Sequence, residues 1–167
     1  MPQLVIAPYS ALQDVIKKTK PSHMLTLMVE PFVATPKSIQ PGRHLRLAVH
    51  DIDQPVEGSN APAADDIVKL LDFGRGWDRS APFLVHCWAG VSRSTAAAYI
   101  MLCDMHGPGH EDTIARALRL RAPHAQPNRL MIRHADAALM RSGRMIAAVE
   151  AMGEARPLWK AEIVGLP

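Results

Sequence analysis

Cysteine is scarce in this chain: among 167 residues only Cys87 and Cys103 carry thiols. Two cysteines cannot build a disulfide framework, so the expected setting is reducing and cytoplasmic. Long apolar runs are missing as well. The longest, Thr95 to Cys103, reaches about half of the roughly 18 residues that a membrane-spanning helix needs. It predicts a buried helix and no membrane partner. Met1 to Ser10 hold no basic stretch leading into an apolar one, so no secretory signal is expected. Internal repeats and low-complexity segments are absent, which excludes solenoids and arrays. Charge of one sign does not dominate either. The net charge is +3, and its lysines and arginines are spread along the chain, which describes a solvated surface and predicts no nucleic-acid partner.

What remains is an ordinary globular composition, 48% apolar and 21% charged, in a chain long enough for one domain over residues 1–167 and too short for two. Leu4 to Ala7 predicts a short strand. Ser10 with Gln13 resembles a capping box for a helix reaching Lys18. Met24 to Val29 is apolar without alternation, as a strand buried on both faces should be. Arg43 to His50 predicts a strand with Leu45, Leu47 and Val49 on one face, delivering Asp51 at its end. Helical spacing places Ile67, Leu70 and Leu71 on a helix over 64–73, with Asp65 and Asp66 in its first turn. A strand is expected at Phe83 to His86, then helices from Val91 to about Met105, over 111–121, from an Asn128 cap to Met140, and over 144–152. Alternating strands and helices predict an α/β fold: one mostly parallel central sheet with helices on both faces.

The chemistry concentrates in Val85-His86-Cys87-Trp88-Ala89-Gly90-Val91-Ser92-Arg93-Ser94-Thr95. A buried strand delivers Cys87, a short loop turns back, and a helix begins within the loop. The backbone N–H groups of Trp88, Ala89, Gly90, Val91, Ser92 and Arg93 then face one concavity, and the helix N-terminus adds its positive end, so the loop is built to hold an oxyanion such as inorganic phosphate. The same field favours a thiolate at Cys87. Arg93 offers a planar fork for two phosphate oxygens. Ser94 is placed to hydrogen-bond the sulfur and ease its departure from a phosphocysteine. A leaving alkoxide also needs a proton, which calls for a carboxylic acid on a neighbouring loop. Asp51, after the strand, is preferred; Asp53, two residues on, is the alternative.

The run HCWAGVSRS resembles the HCxxGxxR[ST] signature of the protein tyrosine and dual-specificity phosphatase superfamily, and its surroundings resemble a small, bacterial-type member. The strand ending in Asp51, the helix before the signature and the segment Arg121 to Asn128 extend the likeness over about 24–139, leaving a helical tail over about 140–167. The resemblance implies a cysteine-phosphatase-like fold, no metal or other cofactor, Cys87 forming the phosphoenzyme, Arg93 binding phosphate, and an upstream Asp as general acid and then base. Asp51 stands a little farther from Cys87 than is usual in the family, and Asp53 fits that spacing better. The partner implied is a phosphorylated protein or a small phosphomonoester. No aromatic loop for gripping phosphotyrosine is identifiable.

Three other readings compete. A phosphoinositide phosphatase would carry lysines inside the loop, and Trp88 to Ser92 has none. A rhodanese-like sulfurtransferase would need no upstream acid, and a non-catalytic phosphate-binding module would need no nucleophile. Among the remaining residues, Cys103 is expected in the core and too far along the helix to pair with Cys87. His86 and His50 are expected to be structural. His106 and His110 flank a Gly-Pro turn without a metal-ligand pattern. Arg75, Arg79 and Arg129 read as surface charge. Trp88 belongs either at the pocket rim against a substrate or packed on the helix behind.

Overall fold

The computed structural model describes residues 3–158 and 162–167. Five strands, β1 (Leu4–Pro8), β2 (His23–Leu27), β3 (His44–Leu47), β4 (Phe83–Cys87) and β5 (Val164–Leu166), form one sheet in the order β3-β2-β4-β1-β5. The first four run parallel, and β5 closes the edge antiparallel to β1. The helices are α1 (Leu12–Thr19), α2 (Ala64–Arg75), α3 (Arg93–His106), α4 (Glu111–Arg121), α5 (Arg129–Ala138) and α6 (Arg144–Glu150). The fold is thus the expected α/β layer arrangement.

The strands show why helices cover both faces. Every residue of β1, β2 and β4 is buried, and successive side chains alternate between two cores. Leu4, Ile6, Leu25, Leu27, Phe83, Val85 and Cys87 join the larger core with α2 to α6. Val5, Ala7, Met24 and Leu84 join the smaller one with α1 and the segment carrying Met28, Val33 and Ile39. His23, Thr26, His44 and His86 are buried polar exceptions among the strand residues, and by the same alternation Thr26 and His86 lie on the α1 side. None of the helices among the described residues is long and apolar enough to cross a membrane.

Several local expectations are corrected. Ser10 caps nothing: Tyr9–Ala11 form a 3-10 turn, α1 begins at Leu12, and its N-cap is Ala11 without a side-chain bond. The strand expected over 43–50 is only His44–Leu47. Its single partner β2 ends at Leu27, opposite Leu47, so the ladder has nothing further to pair with. Val49 N–H then donates to Leu47 O at 2.9 Å, a tight turn. His50 and Asn60 clasp the base of the following loop through His50 N–H to Asn60 O (2.8 Å) and Asn60 N–H to His50 Nδ1 (2.9 Å). The helix expected from Val91 begins at Arg93, because Val91 and Ser92 belong to the loop before it. The tail adds Met145, Ala148, Val164 and Leu166 to the larger core. Residues 159–161, inside that tail, lie outside the described residues.

Candidate active site

The site forms at the C-terminal end of β4, where Cys87 is 1% exposed at the end of the strand. The chain then turns through Trp88 to Ser92 and enters α3 at Arg93. The turn is possible because Gly90 takes φ +72°, and a Cβ there would lie 3.0 Å from Pro8 N and 3.2 Å from the Ala7 carbonyl carbon. The end of β1 therefore forms the floor of the loop. Tyr9 N–H also donates to Trp88 O at 3.0 Å. Gly90→Ala meets both penalties, left-handed strain and a backbone clash, and is expected to cost about 3 kcal/mol of stability. A urea unfolding curve measures it, with inorganic phosphate affinity falling in parallel.

Four of the residues singled out by sequence meet here. Ser94 Oγ lies 3.2 Å from Cys87 Sγ, hydrogen-bond distance for sulfur. Arg93 is buried; its Nη1 donates to Val49 O at 2.9 Å, while its Nε has no partner among the described residues. Asp51 Oδ1 accepts from Ser92 Oγ at 2.6 Å and from Asn128 Nδ2 at 3.1 Å. Thus the carboxylate of Asp51 is tied directly to the loop that runs between Cys87 and Arg93. Asp53 is exposed, and what anchors it is its backbone carbonyl, which accepts from Arg133.

Asn128 does more than the cap expected of it. Its Oδ1 accepts from Met131 N–H at 3.0 Å at the start of α5, while its Nδ2 also donates to Ile52 O at 3.0 Å. Its own N–H donates to Ser92 O at 3.3 Å, beside Gln126 N–H to Val91 O at 2.9 Å. Through its side chain and its backbone N–H, Asn128 thus joins α5, the Asp51 loop and the Cys87 loop. The sequence carried a partial signal, the Asn within the Arg121 to Asn128 segment, but not the second and third attachments.

The remaining candidates separate cleanly. Trp88 is 59% exposed and stacks on Tyr9 with ring centroids 5.7 Å apart; it stands at the rim, braced by β1's end rather than by the helix behind. Cys103 is fully buried in α3, and burial pushes its thiol up to about 12. His106 and His110 approach with ring centroids 6.1 Å apart, and among the described residues no group of three metal-ligating side chains occurs. Arg75 pairs with Asp104 through two 2.9 Å bonds. Beside the loop opens a groove of about 1260 Å³ lined by Asp51, Ser92, Gln126, Arg129, Val149 and Glu154 among others.

No protein-family model matches the sequence, and no curated protein matches it. Solved structures do. The DUSP15 crystal structure superposes with a TM-score of 0.65 at 20% identity, over 94% of each chain. The PTP-2 phosphatase of Cydia pomonella gives 0.62 at 16% identity, over 79% of this chain and 83% of the other. PTPMT1, solved in complex with PI(5)P, gives 0.56 at 16% identity over 86% and 90%. The strand order, the loop between β4 and α3 and the closing strand thus assemble into one architecture: the chain has the fold of the dual-specificity and protein tyrosine phosphatases.

Proposed function

We propose that this chain is a cysteine-dependent phosphomonoester hydrolase acting on phosphorylated Tyr or Ser/Thr of proteins. The observation that supports the reading is the tie of Asp51 to Ser92: a carboxyl group, the kind of proton source the reaction needs, is hydrogen-bonded to the loop that joins a thiol to an arginine. A phosphoryl group seated on the amides of Trp88 to Arg93, with Arg93 on its equatorial oxygens, presents phosphorus to Cys87 Sγ. The thiolate forms the S–P bond as the P–O ester bond breaks, and Asp51 gives its proton to the departing oxygen. Water then loses a proton to the Asp51 carboxylate and attacks phosphorus. The S–P bond breaks, and the Ser94 hydroxyl stabilises the returning thiolate. Residues tied down before substrate arrives keep these positions without reorganising.

The two free thiols suit a reducing, cytoplasmic setting. PTPMT1 was solved with a phosphoinositide, which keeps a non-protein phosphomonoester as the second reading; the absence of lysine from Trp88 to Ser92 weighs against it. A sulfurtransferase would leave the tethered Asp51 without a task. The test is phosphate release from para-nitrophenyl phosphate in the presence of a chelator, followed by a panel of phosphotyrosine and phosphoserine peptides against phosphoinositides. Turnover is expected to survive the chelator and to favour the peptides. Sulfur transfer from thiosulfate to cyanide without phosphate release would overturn the assignment, and preference for the lipids would exchange the two substrate readings.

A further inference from the structure

The groove beside the Cys87 loop is larger than one phosphorylated side chain needs. Its volume of about 1260 Å³ exceeds the roughly 300–1,000 Å³ of a pocket that takes a whole drug-sized ligand. It meets the Cys87 loop at Ala89, Val91 and Ser92. One wall is the loop that carries Asp51 and Asp53, and the other is the end of α6 with the turn after it, from Val149 to Ala155. The segment Ala125 to Asn128 connects the two walls, and both are braced against it. Arg119 Nη1 donates to Pro123 O at 2.7 Å and to Ala125 O at 2.9 Å in that segment. Its Nε and Nη2 donate to Met152 O at 3.2 Å and Gly153 O at 3.1 Å in the tail wall. On the opposite side Asn128 Nδ2 donates to Ile52 O at 3.0 Å, and Arg133 donates to Asp53 O. Walls fixed before anything enters lose little freedom when an extended peptide settles between them.

The charge of the groove runs against that of the chain. The protein carries a net +3, yet the lining holds Asp53, Glu150 and Glu154 as well as Asp51, against Arg119 and Arg129. The N–H groups of Arg119 are already engaged by four carbonyls, which leaves Arg129 as the lining cation able to grip an anion. Glu150 and Glu154 are exposed, and neither is ion-paired among the described residues. A cleft lined by carboxylates concentrates cations and selects a partner of complementary charge.

We propose that this groove takes the chain flanking the phosphorylated residue of a protein substrate and selects lysine or arginine there, with Glu150 and Glu154 as its specificity-determining residues. The proposal rests on the phosphatase reading for the phosphoryl group seated at Cys87, from which the groove leads away. Both glutamates lie in the tail, beyond the segment that resembles the phosphatases in sequence, so nothing in the signature carries this preference.

The test uses phosphotyrosine peptides of one core sequence, with paired lysines, alanines or glutamates placed before or after the phosphotyrosine. On one flank kcat/KM for the lysine peptide should exceed that for the glutamate peptide by about tenfold, mostly through KM, the size of a few exposed ion pairs. The gap should narrow as added salt shortens the screening length. Glu150→Lys combined with Glu154→Lys should invert the order of the peptides. Glu154→Lys alone, in the turn beyond α6, should move the ratio in the same direction and keeps the test valid if the double variant fails to fold. Equal kcat/KM across the peptides, preference for glutamate on both flanks, or a ratio that the lysine variants leave unchanged overturns the proposal. The same peptides are titrated onto Cys87→Ser, where binding is read without turnover. Lysine preference in that binding, with no phosphate release by the wild type, would fault the phosphatase reading alone; phosphate release without any preference would fault this proposal alone.

Discussion

Cys87→Ser is expected to lower turnover of para-nitrophenyl phosphate by on the order of 10⁴-fold or more, the size of effect seen when a covalent nucleophile is removed. The substitution exchanges one buried atom. Sγ lies at the end of β4 with Ser94 Oγ 3.2 Å away, a spacing that a hydroxyl also tolerates, so folding should be kept. Binding should be kept too, because the loop amides and Arg93 are unaltered; inorganic phosphate is expected to bind the variant with affinity close to that of the wild type. What disappears is the sulfur nucleophile that the proposed mechanism requires, and a serine hydroxyl is a far weaker one. Full activity in the variant would end the phosphocysteine mechanism. A companion measurement uses the second thiol as an internal control. Iodoacetamide near neutral pH should modify Cys87 and be blocked by phosphate, while Cys103, fully buried with its thiol pushed up to about 12, should stay unlabelled.

The sequence carried the sheet and the loop well, and for a physical reason. Strands buried on both faces admit few polar residues, so β1, β2 and β4 read as mostly apolar runs, and Cys87 and Arg93 are fixed by a short loop whose spacing is its geometry. Helices with strong stops were equally clear: α4 was expected over 111–121 and is Glu111–Arg121. Legibility failed where structure depends on partners distant in sequence. β3 ends early because β2 ends opposite Leu47. The three-residue β5 exists only because β1 offers it an edge. Ser10 looked like a cap, yet the entry of α1 is set by the 3-10 turn that packs Tyr9 against Trp88. Buried polar contacts follow the same rule: Thr26 and His44 carry no signal in the sequence, and only the parallel register that sets Thr26 beside His86 on one strand and Arg46 on the other brings the Thr26 hydroxyl within 2.8 Å of His44 Nε2 and 2.7 Å of His86 Nε2.

The surroundings of Asp51 are where structure added most, and the proposed role of that residue as the acid leads to the second large effect. Asp51→Asn is expected to slow hydrolysis of phosphotyrosine and phosphoserine peptides by about 10²–10³-fold, the usual contribution of a general acid. The loss should be much smaller on para-nitrophenyl phosphate, whose leaving group departs without a proton. The substitution is unusually clean at this position. Among the described residues both hydrogen bonds to the Asp51 side chain, from Ser92 Oγ and Asn128 Nδ2, arrive at Oδ1, and an asparagine carbonyl accepts both equally well. The amide nitrogen then takes the place of Oδ2, the oxygen left to carry the proton. Position is retained and proton delivery is removed. Asp53→Asn should change either substrate class by less than about twofold, because the Asp53 carboxylate, unlike that of Asp51, makes no hydrogen bond among the described residues, and the anchor of that residue, a backbone carbonyl accepting from Arg133, is untouched. The reverse pattern, strong leaving-group dependence in Asp53→Asn and none in Asp51→Asn, would move the acid to Asp53. Asn128→Ala supplies the link between the two halves of the site. With its amide gone, Asp51 loses one of its two ties and the Asp51 loop loses its bond to Ile52 O. Peptide hydrolysis should therefore fall more than hydrolysis of para-nitrophenyl phosphate, as in Asp51→Asn but to a smaller extent, because Ser92 still holds the carboxylate over the loop.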